Sequence, residues 1–141
     1  MRWSSLRVIT LFLALIVAPA VIAADGLSQF SMIDQQVGSG ARAQLGLEVE
    51  LNYTGWLYDE KAKDHHGAQI DSSYEHGKTI VFTVGEHKVI PGWDRGVRGM
   101  RVGGKRTLLI PPNMGYGGRA VSDKVPPYSS LIFDIELVSV H

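Results

Sequence analysis

Apolar and polar residues alternate along four segments of this chain. In the first, residues 45–53, every second side chain is apolar, and the apolar set is Leu45, Leu47, Val49, Leu51 and Tyr53. The same alternation recurs over residues 80–84, 105–110 and 130–140. Because a period of two is typical of a β-strand with one buried face, each segment is predicted to be a strand.

One segment has the period of a helix instead. It begins after Pro91, whose missing N–H costs little at a helix start. Gly99 and Gly103 are expected to end it. Its apolar positions follow the spacing i, i+4, i+7 and form one stripe on about two turns: Trp93, Val97 and Met100. Several strands with one short helix predict an α+β fold, an antiparallel sheet packed against that helix.

The remaining segments carry weaker signals. Residues 24–44 are polar and contain glycine, which is typical of a tail or a weak edge strand. Residues 59–67 are charged and are predicted to form a loop. No internal repeat is visible, so we expect one domain over residues 45–141.

The first 23 residues have the pattern of a secretory signal peptide. Arg2 and Arg7 make the start basic, and an apolar run follows over residues 8–17. Val21 and Ala23 occupy the −3 and −1 positions of a cleavage site for a signal peptidase. The apolar run is shorter than the roughly 20 residues that span a bilayer, which disfavours a membrane anchor. The sequence therefore predicts an exported protein, periplasmic or secreted.

Composition narrows the possible functions. The chain has no cysteine, which excludes disulfides, thiol catalysis and a lipidated cysteine. Its 14 basic and 14 acidic residues become 12 and 14 once Arg2 and Arg7 are removed, a formal charge of −2. Such a near-neutral surface gives no reason to expect nucleic acid or a membrane as partner.

Familiar catalytic motifs are absent from the sequence. It contains no nucleophile elbow, no zinc-binding His-Glu-x-x-His, no phosphate-binding loop and no dinucleotide fingerprint, so neither a cofactor nor a metal is expected. Asp64, His65 and His66 could bind a metal, but adjacent histidines in a charged loop are more often simply solvated. A basic run is similarly expected to be an exposed face rather than an anion site: Arg95, Arg98, Arg101, Lys105 and Arg106.

The candidate functional residues are aromatic and apolar. Residues 89–93 lie at a junction between a strand and a helix, where Ile90 could offer a free backbone N–H. Tyr116 lies in a glycine-rich loop, which suits the wall of a pocket better than a core. The alternative is that the conspicuous residues are only core: Tyr53, Trp56, Phe82, Val89, Ile90, Trp93, Tyr116 and Phe133. For Phe82 alone we accept this alternative.

Residues 47–138 resemble the FKBP-type (macrolide-binding) peptidyl-prolyl isomerases. The resemblance rests on ordered motifs: Asn52-Tyr53-Thr54-Gly55, Ile70-Asp71-Ser72-Ser73, Phe82-Thr83-Val84-Gly85, Val89-Ile90-Pro91-Gly92-Trp93, Gly103-Gly104-Lys105-Arg106, Tyr116-Gly117, Pro126-Pro127 and Leu131-Ile132-Phe133-Asp134-Ile135-Glu136-Leu137. It implies a five- or six-stranded antiparallel half-barrel wrapped around a single helix. It also implies proline-containing polypeptides as clients, macrolides such as rapamycin as inhibitors, and a monomer.

The resemblance further implies roles for individual residues. Trp93 would be the floor of a proline pocket, with walls from Tyr53, Phe82, Val89, Ile90 and Phe133. Tyr116 would donate a hydroxyl, and Ile90 a backbone N–H, to the carbonyls of the bound peptide. Asp71 would be the carboxylate at the rim, hydrogen-bonded to Tyr53. A mobile flap before Pro126 would contribute Val121 and Val125.

Three departures qualify the resemblance. Ile70 and Ile80 occupy positions where many members have phenylalanine, Ile70 in the pocket wall, and the loop over residues 58–69 is longer than in the smallest members. The flap is short and holds no inserted domain. The aliphatic Ile70 favours an alternative function, a binding or chaperone module with weak or no isomerase activity. The intact Tyr53, Asp71 and Trp93 argue against it.

Overall fold

The computed structural model describes residues 26–141, which form six strands and two short helices. The strands are β1 (Ser31–Gln36), β2 (Glu48–Tyr58), β3 (His66–Ser72), β4 (Ile80–Thr83), β5 (Lys105–Ile110) and β6 (Leu131–Val140). The helices are α1 (Ser73–His76) and α2 (Pro91–Gly96), and single 3-10 turns cover Lys63–His65 and Pro112–Met114.

All six strands belong to one antiparallel sheet. Its order is β1-β5-β6-β2-β3, and β4 pairs with the first half of β2. The central pair is β2 with β6, in which Tyr53 lies opposite Ile135. Val49, Leu51 and Tyr53 are buried on one face of β2, as their alternation predicts. The predicted α+β class with an antiparallel sheet is confirmed.

Helix α2 packs closely on β5 through two glycines. A Cβ atom on Gly92 would come within 2.7 Å of the Ile110 side chain, and one on Gly96 within 2.6 Å of Leu108. Only residues without a side chain allow the helix this close to the strand. The helix is shorter than predicted and ends at Gly96, but the whole predicted stripe is buried: Trp93, Val97 and Met100.

Several elements differ from the sequence prediction. The first long strand begins at Glu48 rather than at Leu45, which is 63% exposed, because the chain turns at Gly46 with a φ of +84°. The predicted loop over residues 59–67 passes into β3 at His66. That strand was missed because its residues are mostly polar. An edge strand, β1, lies within residues 24–44 and pairs with β5.

Arg106 corrects another expectation, because it is buried rather than exposed. Its Nε donates to Asp34 Oδ1 at 2.6 Å, and its Nη1 donates to the carbonyls of Gly96 and Arg98 at 2.8 and 2.9 Å. The guanidinium therefore joins β1 to the carbonyls at the end of α2. The other members of the basic run are exposed, as expected: Arg95, Arg98, Arg101 and Lys105.

The predicted signal peptide, residues 1–23, lies outside the described residues. Within residues 26–141, no helix combines the length and the apolar character that crossing a membrane requires.

Replacing Arg106 is expected to destabilise the fold more than replacing its partner. Arg106→Gln removes the donor to two helix-end carbonyls and should lower the free energy of unfolding by about 2–3 kcal/mol. The side chain of Asp34 is 49% exposed, so Asp34→Asn should cost at most about 1 kcal/mol. Urea denaturation of the two variants measures this difference. Equal small losses would show that solvent replaces Arg106 at these carbonyls.

Candidate functional site

A cavity of about 760 Å³ opens over the first turn of α2. Of the eleven residues that the resemblance implies for the site, ten line it: Tyr53, Ile70, Asp71, Val89, Ile90, Trp93, Tyr116, Val121, Val125 and Phe133. They come from strands β2, β3 and β6, from helix α2 and from the loops around it. Ile80 and Pro91 add further apolar surface. The fold therefore brings the predicted pocket together.

Trp93 is held by two aromatic rings that meet it edge-on. The Tyr53 ring lies 4.7 Å from it at an interplanar angle of 68°, and the Phe133 ring lies 5.2 Å away at 90°. These edge-to-face arrangements match the quadrupoles of the rings and fix the indole against the helix turn. Trp93 is 5% exposed, and its Nε1 has no hydrogen-bond partner within residues 26–141.

Phe82 is the one predicted pocket residue that does not line the cavity. It lies on β4, is 6% exposed and belongs to the core, with its ring centroid 6.2 Å from that of Trp93. The pocket wall that the resemblance implies is therefore wrong for this residue, and the core position accepted from the residues alone is confirmed. Phe82 supports Trp93 from within the core instead.

Asp71 receives three hydrogen bonds at the rim of the cavity. The Tyr53 hydroxyl donates to Oδ2 at 2.6 Å, as predicted, and the Ser72 backbone N–H donates to Oδ1 at 2.9 Å. His76 Nε2 lies 2.7 Å from Oδ1. Burial alone would raise the pKa of Asp71, but these hydrogen bonds outweigh it and hold the pKa below its usual value. The carboxylate is therefore ionised at neutral pH.

Tyr116 and Ile90 present polar groups without partners. Within residues 26–141, neither the Tyr116 hydroxyl nor the Ile90 backbone N–H makes a hydrogen bond. Burial, helped by the charge of Asp71 and opposed by Arg119, raises the pKa of Tyr116, so its hydroxyl keeps its proton. Both groups are available to donate to carbonyls of a bound molecule.

Four polar residues at the mouth of the cavity were missed by the sequence analysis: His87, Lys88, Arg119 and Ser122. They come from two loops that are far apart in sequence and share no motif. His87 has a φ of +57°, and its Nδ1 lies 3.4 Å from the buried Oδ2 of Asp94. No signal in the sequence places these residues together, because only the folded loops do so.

The short flap lies beside the cavity. Val125 is buried, whereas Val121 is 51% exposed, and a bridge between Ser122 and Val125 closes the turn that separates them. Val121 therefore lines the cavity at its edge, and Val125 lines it from deeper inside.

The adjacent histidines make aromatic contacts. His66 stacks on Trp56 at 3.8 Å with nearly parallel planes, and His65 lies 5.1 Å from the Tyr58 ring. His66 is thus partly buried rather than simply solvated. No group of three potential metal ligands occurs within residues 26–141.

Comparison with known proteins gives consistent matches. A family model described as FKBP-type peptidyl-prolyl cis-trans isomerase matches residues 40–138. An FK506-binding protein of Neisseria meningitidis serogroup A is 43% identical over 108 residues, covering 77% of this chain and 93% of that protein. FK506-binding protein 1 of Aspergillus oryzae is 45% identical over 107 residues, covering 74% of this chain and 91% of that protein.

Two solved structures share the fold. AtFKBP13 superposes with a TM-score of 0.70 at 37% identity, covering 82% of this chain and 96% of its own. FkpA from Escherichia coli superposes with a TM-score of 0.67 at 35% identity, covering 79% of this chain and 47% of its own. These matches agree with the sheet and the short helix described above.

Removing the Tyr53 hydroxyl should raise the pKa of Asp71. Tyr53→Phe deletes the shortest of three donors to the carboxylate, and a carboxyl titration followed by NMR measures the shift. The pKa of Asp71 is depressed in the folded state, so the bond stabilises the protein above the unfolded pKa and loses its effect as pH falls through the folded pKa. Solvent screening of the half-exposed Asp71 limits the loss at neutral pH to about 1 kcal/mol.

Tyr74→Phe is the matched control for this variant. Its hydroxyl is exposed and lies 3.4 Å from Glu136, away from Asp71, so the titration of Asp71 should not change. An unchanged Asp71 titration in Tyr53→Phe as well would contradict the hydrogen bond.

Proposed function

Because the chain belongs to the FKBP-type peptidyl-prolyl cis–trans isomerase family, we propose that the cavity over Trp93 binds a proline ring and isomerises the peptide bond before it. Isomerisation of X–Pro bonds is the activity of the family. The observation that supports this site is the set of aromatic rings around Trp93, with two unpaired donors beside them. The cavity is complete within one chain, which supports a monomer as the active form.

The chemistry of the reaction explains why such a cavity suffices. Rotation about an X–Pro bond disrupts amide resonance, at a barrier of about 18–20 kcal/mol. In the twisted transition state the carbonyl is less charge-separated than in the planar ground state. No covalent bond is broken and no proton is transferred. An apolar cavity therefore favours the twisted form over the polar planar form, and each ~1.4 kcal/mol of this difference gives a tenfold rate.

The two unpaired donors orient the substrate in the cavity. The Ile90 N–H and the Tyr116 hydroxyl are placed to hold carbonyl groups of the substrate while the proline ring lies over Trp93. These hydrogen bonds lower the barrier to rotation only if they are stronger in the transition state than in the planar ground state.

Asp71 acts as an acceptor that orients its neighbours rather than as an acid or a base. Its pKa lies below the usual value, so it has no proton to give at neutral pH. Its oxygens are already occupied by Tyr53, Ser72 and His76. Its role is then to fix the Tyr53 ring, which packs on Trp93.

The same cavity is proposed to bind macrolides of the FK506 and rapamycin type. The relatives from Neisseria and Aspergillus carry FK506-binding in their names. Ile70 and Ile80 both line the cavity, and they give it aliphatic rather than aromatic walls. A macrolide should therefore inhibit the isomerase by occupying the proline site, with less aromatic contact than phenylalanine would provide.

Replacing a buried phenylalanine should lower the isomerase activity strongly only where the ring lines the cavity. Phe133→Leu and Phe82→Leu remove the same atoms from two buried rings, each at a cost of about 1 kcal/mol in stability. Only Phe133 lines the cavity, so its replacement should lower kcat/KM for an X–Pro peptide about tenfold, which corresponds to ~1.4 kcal/mol in the transition state. A protease-free isomerisation assay, repeated with rapamycin, measures both activity and inhibition.

Equal losses in the two variants would show that stability, and not the cavity, controls the rate. Wild-type protein without activity on proline peptides would contradict the proposed site and favour a binding module. A chelator should leave the rate unchanged.

We further propose that residues 1–23 direct export and are then removed. The basic start, the apolar run and the small residues before Ala24 support this. Mass spectrometry of the protein from its host should find an N-terminus at about residue 24 or 25 in the periplasm or the medium. A full-length chain retained in the membrane fraction would refute the proposal.

A further inference from the structure

We propose that His76 is a positioning residue for the isomerase, which holds Asp71 and through it the Tyr53 wall of the cavity, most firmly when the imidazole is protonated. The inference rests on the proposed function of the cavity. It concerns a residue that no motif in the sequence singled out and that does not itself line the cavity.

The two oxygens of Asp71 have different partners. His76 Nε2 lies 2.7 Å from Oδ1, and the Tyr53 hydroxyl lies 2.6 Å from Oδ2. The Tyr53 ring in turn meets Trp93 at 4.7 Å. A continuous chain of contacts therefore leads from the exposed imidazole to the floor of the cavity.

The local backbone fixes His76 in this position. It is the last residue of α1, which stops at Gly77 in the left-handed conformation with a φ of 65°. The first residue of that turn, Ser73, is buried, and its Oγ accepts the Tyr53 backbone N–H at 2.9 Å. One helical turn anchored on β2 thus returns the imidazole to Asp71, five residues earlier. With 55% of its side chain exposed, the imidazole of His76 is open to solvent.

The other charged groups around this pair have different contacts. On α1, Glu75 accepts from Gln69 at 2.6 Å. On β2, Glu50 accepts from Thr79 at 2.6 Å and from Ser139 at 2.8 Å. Further titratable groups on these elements and across the cavity include Tyr74, which donates to Glu136; His66, stacked on Trp56; the exposed Lys78; Tyr116; and Arg119. Within residues 26–141, Asp71 provides the carboxylate that lies within ion-pair distance of His76.

The charges of His76 and Asp71 decide in which direction pH changes the strength of their contact. Histidine changes its charge between about pH 5 and 8. At the acid end of this range, a protonated His76 forms an ion pair with Asp71 and holds the carboxylate toward Tyr53. At the alkaline end, only a neutral hydrogen bond is left, which is weaker than a charge-assisted one. Because isomerisation itself transfers no proton, the reaction adds no pH dependence of its own in this range.

The test is a pH profile of kcat/KM from 5.5 to 8.5, measured with a neutral X–Pro peptide in a protease-free assay. For the wild-type protein we expect the value to fall about two- to fivefold as pH rises, the range that a partly exposed ion pair supports. His76→Arg keeps the cation at every pH and should be flat at the level of the acid limb. His76→Gln carries no charge and should be flat at or below the level of the alkaline limb.

His87→Gln serves as the control histidine, because His87 also lies near a carboxylate, at Asp94. Its replacement should leave the slope of the profile in place, whatever it does to the rate. Thermal unfolding at each pH confirms that the variants stay folded over the range.

Two results would overturn the inference and leave the isomerase site intact: a flat profile in the active wild-type protein, or the wild-type slope retained in His76→Gln. If the slope were lost in His87→Gln instead, the pH dependence would come from the contact of His87 with Asp94, and the inference would also be overturned. Absence of all wild-type activity would be different, because it would overturn the proposed function itself.

Discussion

The site depends on the packing of one indole ring. Trp93 lies in the first turn of a helix of only six residues, which is too short to be stable alone. Its position is therefore set by the rings of Tyr53 and Phe133. These rings come from the central strands β2 and β6, whose pairing is the most extensive in the sheet. The floor of the cavity and the core of the sheet are therefore the same packing arrangement, and Gly92 and Gly96 let the helix approach closely enough to share it.

Polar groups around this packing are divided between two tasks. Arg106 satisfies the carbonyls at the end of α2 and ties the edge strand β1 to it, which is a structural task. Asp71 instead gathers three donors at the rim and holds an aromatic wall in place. Neither arrangement provides a nucleophile or a general base. An apolar cavity with two unpaired donors suits a reaction that rotates a bond without breaking one.

The sequence predicted the strands best where one face is buried. Alternation located β5 over residues 105–110, as the structure has it, and the family motifs located ten cavity residues. It failed for β3, whose residues are mostly polar. The resemblance failed for Phe82, which lies in the core and not in the cavity wall. Arg106 and His76 could not be interpreted from the sequence alone. Their partners, Asp34 and Asp71, are brought to them by strand pairing and by a single helical turn.

The order of the strands has a consequence for how the cavity forms during folding. Strand β2 reaches its full set of partners only when β6, some eighty residues later in the chain, has paired with it. Such distant pairings make contact order high and folding slow, because the loop must close before the contacts stabilise it. Tyr53 and Phe133 meet through this pairing. The cavity is thus completed only by this non-local pairing, and a nascent chain in which β6 is still missing has no complete cavity.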